Sequence, residues 1–159
     1  MAWRIIKPLG WGMDFDTTVK LCIYQTIADT TKLPTADDVA NILGASRHDV
    51  VQAFHRLHRK RLLVPEPDDP ARIRMAPPFS GIETPFVVRI GEKTHFANCV
   101  WDALGIPAAL HADGVVETAD AQSGEPMRLE LRDQTPVPQP CAIHFAVPAA
   151  RWWDDIVYT

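Results

Sequence analysis

The sequence lacks any apolar run near the roughly 18 residues that a membrane-spanning helix needs, because Asp, Lys or Pro interrupts its longest apolar stretches. Its first residues, Met1 to Pro8, lack the apolar segment and the small-residue cleavage site of a signal peptide. We therefore expect a cytoplasmic protein without membrane contact, whose three cysteines are reduced thiols. A net charge of −4 argues against a protein that coats nucleic acid.

Several nucleotide and hydrolase motifs are also missing: there is no glycine-rich phosphate loop, no Gly-x-Ser-x-Gly elbow and no His-Glu-x-x-His. Hydrophobic residues make up 47% of the 159, which is typical of a globular chain and excludes a disordered one. Residues 1–80 carry 11 Lys and Arg against 9 Asp and Glu, whereas residues 81–159 carry 5 against 11. The two halves therefore differ in charge.

The first half has the pattern of three helices followed by a β-ribbon. Asp16 and Thr17 predict the start of the first helix, and Thr35 and Ser46, each with an Asp three residues later, predict the next two. The positions expected to face the core are Val19, Cys22, Ile23, Ile27, Val39, Ile42, Leu43, Val50, Phe54 and Leu57. A short apolar piece, 62–64, is followed by a turn rich in Pro and Asp and by a returning piece, 72–75. Residues 1–80 are therefore predicted to form a winged-helix-like region.

The second half is predicted to be mostly strand. The expected elements are a strand at 86–90, a helix from about Phe96 to Leu104 ended by Gly105 and Pro107, a hairpin of 115–118 with 127–131, and a strand at 142–147. The fold class expected for the whole chain is α+β, in which residues 81–159 form a small mixed or antiparallel sheet with an active-site helix.

Cys99 and Asp102 lie three residues apart on the predicted helix, so their side chains emerge on one face. A cysteine in the first turn favours a thiolate, because the terminal N–H groups and the helix dipole stabilise negative charge. His95, just upstream, is a candidate auxiliary group. A soft thiolate beside a carboxylic acid suits the binding of a soft metal with proton delivery nearby. The alternative is structural: Cys99 is then a small buried hydrophobe and Asp102 a solvated helix residue.

The segment His95-Phe-Ala-Asn-Cys99-Val-Trp-Asp102-Ala-Leu-Gly-Ile-Pro107-Ala-Ala-Leu resembles the active-site helix of the alkylmercury lyase (organomercurial lyase) family. The following hairpin, from Gly114 through the Ser-Gly turn at 123–124 to Leu131, is similar to that family's next hairpin. The resemblance implies a cofactor-free lyase that cuts the carbon–mercury bond. It implies that Cys99 is the thiolate that binds mercury and that Asp102 handles the proton. The implied partners are an organomercurial substrate and an acceptor of Hg(II), either a small thiol or a mercuric reductase.

The family has a second catalytic cysteine, which the resemblance places immediately after Thr159, where this sequence ends. Either the chain is a piece of a longer protein, or it is a relative without that thiol. Cys141 is the one candidate for a substitute second thiol nearby, although its position favours a structural role. Cys22 lies on the apolar stripe of the first helix, where we expect it in the core.

DNA binding is the first alternative function. The third predicted helix ends in a basic cluster, which consists of Arg56, Arg59, Lys60 and Arg61 and could contact phosphates. However, the N-terminal part of that helix, where recognition normally occurs, has little positive charge, and basic residues at a helix C-terminus also offset the dipole. Nucleic acid is therefore an unlikely partner.

A second alternative is a non-catalytic thiol or soft-metal module that uses Cys99 alone. His55 and His58, three residues apart, could bind a metal, but no third ligand is evident. The tandem Trp152 and Trp153 is expected to pack the C-terminal segment onto the sheet, with the lining of a ligand pocket as the alternative.

Overall fold

The computed structural model describes residues 13–157, so predictions about Met1 to Pro8 and Thr159 lie outside the described residues. Its first three elements are α1 (Phe15–Thr30), α2 (Ala36–Leu43) and α3 (Arg47–Arg59). The predicted caps of α2 and α3 are confirmed: the side chains of Thr35 and Ser46 accept hydrogen bonds from the backbone N–H groups of Asp38 and Asp49.

The start of α1 and one core position differ from the prediction. Asp14, and not Asp16, caps α1, because its carboxylate accepts the N–H of Thr17 at 3.0 Å. Ile42 was expected inside but is 57% exposed. The short helix α2 buries Ala36, Val39 and Ala40, and at about 100° per residue Ile42 lies more than a quarter-turn away from the centre of that face.

A three-stranded antiparallel sheet follows the helices, in the order β1 (Val64–Pro65), β2 (Ile73–Ala76) and β3 (Phe79–Ser80). The predicted ribbon is thus present, and β3 is an addition that the sequence pattern did not indicate. Phe79 also bridges to Ala97, which connects this sheet to the second one.

The second sheet has five antiparallel strands in the spatial order β5-β4-β6-β7-β8. The strands are β4 (Val87–Ile90), β5 (Lys93–Phe96), β6 (Gly114–Ala119), β7 (Pro126–Arg132) and β8 (Thr135–Pro136). One face is buried through Val88, Val116, Leu129 and Leu131, which belong to the same apolar cluster as the cores of α1–α3. This architecture confirms the α+β prediction. No helix of residues 13–157 is long and apolar enough to cross a membrane.

Helix α4 (Val100–Ala109) starts and ends later than predicted. Phe96 belongs to β5, since the turn at Gly91 reverses the chain into a β-hairpin and does not start a helix. Pro107, expected to end the helix, lies inside it. A proline inside a helix removes one of its backbone hydrogen bonds. The buried ring of Pro107 packs closely on Gly114, since a Cβ added to Gly114 would lie only 2.8 Å from Pro107 Cγ.

The predicted strand at 142–147 is wrong: this segment is irregular and its side chains are largely exposed. Prolines at 136, 138, 140 and 148 remove the backbone donors that a strand would need near both ends of the segment. A 3-10 helix (Ala149–Asp154) follows.

Candidate functional site

Cys99 lies at the point where β5 leads into α4. It is the N-cap residue of the helix, with an extended backbone (φ −152°, ψ 178°), and its side chain makes no capping hydrogen bond. Burial raises the pKa of the Cys99 thiol, and the nearby charge of Asp102 raises it too, whereas the N–H groups of Asp102 and Trp101 lower it by less. The N–H groups at the helix start thus act on the thiol in the expected direction, but burial outweighs them and favours the thiol form in the free protein.

Asp102 lies in the first turn of α4, next to Cys99 and half-buried. Burial raises the pKa of its carboxyl above the usual range, and a hydrogen bond from Asn98 opposes this rise. The Asn98 Nδ2 atom lies 3.0 Å from Asp102 Oδ2. Both groups of the predicted Cys–Asp pair thus have their neutral forms stabilised by burial.

The pair lies on the wall of a cavity of about 640 Å³. Its lining combines the start of α4, the end of the helical region and the C-terminal segment. The lining residues are Arg61, Met75, Pro77, Asn98, Cys99, Trp101, Asp102, Phe145, Ala146, Val147, Trp152, Trp153, Ile156 and Val157. Three of the protein's five tryptophans are among them, so the space in front of the thiol is largely aromatic and apolar.

The C-terminal segment forms one side of this cavity. Trp152 donates its indole N–H to Val147 O at 2.8 Å, and its ring lies 5.3 Å from that of Phe145. The ring of Trp153 lies 6.2 Å from the His58 ring and 6.0 Å from the Arg61 guanidinium. The expected packing of the two tryptophans onto the sheet is therefore corrected: they line the cavity, and Trp153 contacts the end of α3.

Tyr24 contacts Pro77, one of the residues that line the cavity. Its hydroxyl donates to Pro77 O at 2.6 Å, and its ring packs edge-on against Phe79. Burial, with a smaller effect from the charge of Asp102, raises the pKa of Tyr24 to about 12. The hydroxyl therefore remains protonated and acts as a donor at any physiological pH.

The other predicted site residues lie elsewhere. His95 is 1% exposed in β5, packs on the Phe79 ring and does not line the cavity. Cys141 is exposed and is not a lining residue either. Cys22, expected in the core, is only partly buried and packs against it. The sequence reasoning missed Asn98, although its spacing of four residues from Asp102 is a signal for contact at the start of a helix.

The basic cluster at the end of α3 has local partners. Arg56 and Lys60 both bind the buried carboxylate of Asp16, at 2.8 and 3.1 Å. The Nδ1 atom of His58 lies 2.9 Å from Leu63 O. Within residues 13–157, no three His, Cys, Asp or Glu side chains are placed to hold a metal ion. These contacts account for much of the cluster without nucleic acid.

The family model described as alkylmercury lyase matches residues 79–159, half of the chain. The chain belongs to the alkylmercury lyase family. A solved structure, described as the crystal structure of the mercury-bound form of MerB2, is similar, with a TM-score of 0.63 and 25% sequence identity. The match covers 79% of this chain and 60% of that one, so this alkylmercury lyase family member spans less than two thirds of that protein's length. No sequence among the curated proteins matches.

Proposed function

We propose that this protein cleaves the carbon–mercury bond of organomercurials by protonolysis, with Cys99 binding the mercury and Asp102 transferring the proton. The observation that carries the proposal is the placement of Cys99 and Asp102 side by side on the wall of an aromatic cavity. Family membership and the likeness to a mercury-bound relative support it. A thiolate is the ligand that soft Hg(II) prefers, and the apolar lining suits an organic substituent.

The raised pKa values suggest how the pair shares one proton. Burial keeps the Cys99 thiol protonated in the free protein. When R–Hg⁺ enters, mercury replaces the thiol proton, and the adjacent Asp102 carboxylate is placed to accept it. A carboxyl group whose pKa is raised by burial retains that proton at higher pH than an exposed one. It then protonates the carbon as the carbon–mercury bond breaks.

A second thiolate on mercury would push electron density toward the carbon and so favour cleavage. R–Hg–S(Cys99) takes up a second thiolate on mercury, the carbon–mercury bond breaks with its electron pair on carbon, and the proton from Asp102 forms the C–H bond. Mercury remains Hg(II), so no reductant is consumed. Cys141 is exposed and is not a lining residue, so we propose that, in an assay of this chain, an added small thiol supplies this sulfur and also carries the Hg(II) away.

The test is benzene release from a phenylmercury salt with excess small thiol. We expect Cys99→Ser and Asp102→Asn each to abolish release. Cys22→Ser and Asp68→Asn, matched substitutions of a core thiol and an exposed carboxylate, should preserve it. Cys141→Ser should preserve release as well, since the small thiol completes the reaction.

Three other outcomes would count against parts of this scheme. Undiminished release by Cys99→Ser would contradict the proposal. Dependence on Cys141 would contradict the assignment of the second sulfur to a small thiol. Stoichiometric capture of phenylmercury by Cys99 without any benzene would contradict the lyase and support the non-catalytic thiol module.

A further inference from the structure

Asn98 occupies the connection between β5 and α4, directly before Cys99, and lines the cavity. Its amide nitrogen has two acceptors: Asp102 Oδ2 at 3.0 Å and the backbone oxygen of Phe79 at 3.5 Å. The contact of 3.5 Å with Phe79 O joins the amide to β3, and Phe79 also forms a bridge with Ala97. One amide group, through Nδ2, thus donates both to a backbone carbonyl and to the proposed proton donor.

The orientation of this amide is set by its neighbours. Rotating the amide by half a turn would place Oδ1 against the Phe79 carbonyl and the Asp102 carboxyl, two groups that offer no proton when Asp102 is ionised. In the observed orientation, Oδ1 is buried and has no partner among the described residues. An unpartnered buried acceptor is unfavourable, so the two bonds of Nδ2 determine the side chain's placement.

We propose that Asn98 is a positioning residue for Asp102: its amide, which also contacts the Phe79 carbonyl, donates to Asp102 Oδ2 and so orients the carboxyl group inside the cavity. The link to proton transfer rests on the proposed function. In that mechanism, the Asp102 carboxyl must be ionised before it can accept the proton of the Cys99 thiol. A hydrogen bond donated to a carboxylate favours the charged form, while burial favours the neutral one. Asn98 therefore limits how strongly burial suppresses ionisation of Asp102.

The direct test is a ¹³C NMR titration of the Asp102 carboxyl group in the full chain, with the signal assigned by its loss in Asp102→Asn. In Asn98→Leu, which keeps the side chain's approximate shape but removes the donor, the Asp102 midpoint should rise by about one pH unit. Asn41→Leu, at the other asparagine of the sequence, which is exposed, should leave the midpoint unchanged. If Asn98→Leu does not fold, Asn98→Ala provides the same comparison without added bulk.

The titration needs no substrate, so its result is separable from lyase activity. An unchanged Asp102 midpoint in a folded Asn98 variant overturns the inference, whatever the activity. A raised midpoint supports it, even if the wild type releases no benzene, and in that case only the proposed function fails. Where benzene is released, the acidic limb of the kcat/KM profile should move to higher pH in Asn98→Leu by the same amount. A merely structural role for Asn98 would lower the rate without moving this limb.

Discussion

Replacing Asp16 tests how the helical region is held together. Its carboxylate is only 9% exposed and binds Arg56 Nη2 at 2.8 Å and Lys60 Nζ at 3.1 Å, which joins the start of α1 to the end of α3. Hydrogen bonds between charged groups contribute about 1.5–3 kcal/mol when shielded and less when exposed. Because Arg56 and Lys60 are 39% and 55% exposed, we expect Asp16→Asn to cost about 1–2 kcal/mol. For a chain of this size, that corresponds to a fall in Tm of about 2–8 °C.

The pH dependence of the unfolding free energy gives the sharper test of this ion-pair contribution. The Arg56 hydrogen bond is the main reason that the pKa of Asp16 lies below its ordinary value of 3.8. A depressed carboxyl pKa contributes stability that is present above about pH 4 and is lost as the pH falls through the folded-state pKa. Urea unfolding of the wild type and Asp16→Asn should therefore differ at pH 7 and converge in strong acid. A difference in unfolding free energy that is absent at pH 7, or equal at all pH values, would refute this reasoning.

Three further predictions concern backbone packing and a buried histidine. Gly81→Ala should destabilise the fold by about 1–3 kcal/mol in urea unfolding, because the new Cβ would lie 2.4 Å from Ile73 O. Gly105 lies inside α4, and a Cβ added there would meet Pro78 at an ordinary contact distance of 3.5 Å. Gly105→Ala should therefore stabilise the fold by up to about 1 kcal/mol, and a loss of stability would contradict this. Burial, and less so Lys93, lowers the pKa of His95 from 6.5, so the wild type should lose stability as the pH falls below about 6.5. His95→Leu should lose less over that range, and equal losses would show that His95 is not responsible.

Local signals in the sequence predicted the helical region well. Side-chain caps such as Thr35 and Ser46 act within three residues, so a single sequence contains all the information that they need. The hairpin of β6 and β7 was also evident, because its alternating apolar residues surround the turn at Gly124. The α+β class follows from these elements.

The site was predictable only in part, because the rest depends on contacts between distant segments. Cys99 and Asp102 are neighbours in sequence, and the resemblance identified both. The cavity wall on which they lie also includes residues far along the chain, such as Pro77 and Trp152. No local sequence pattern indicates that Trp152 lines the same cavity as Cys99. The segment that precedes it is irregular and has no helical or strand periodicity of apolar residues.

Deuterium incorporation into the hydrocarbon product tests the central claim most directly. In deuterium oxide, with phenylmercury and excess small thiol, protonolysis places an exchangeable hydrogen on the ring carbon. The account predicts that mass spectrometry finds benzene carrying one deuterium with the wild type and none with Cys99→Ser. Benzene without deuterium, or equal amounts of deuterated benzene from both proteins, would contradict it.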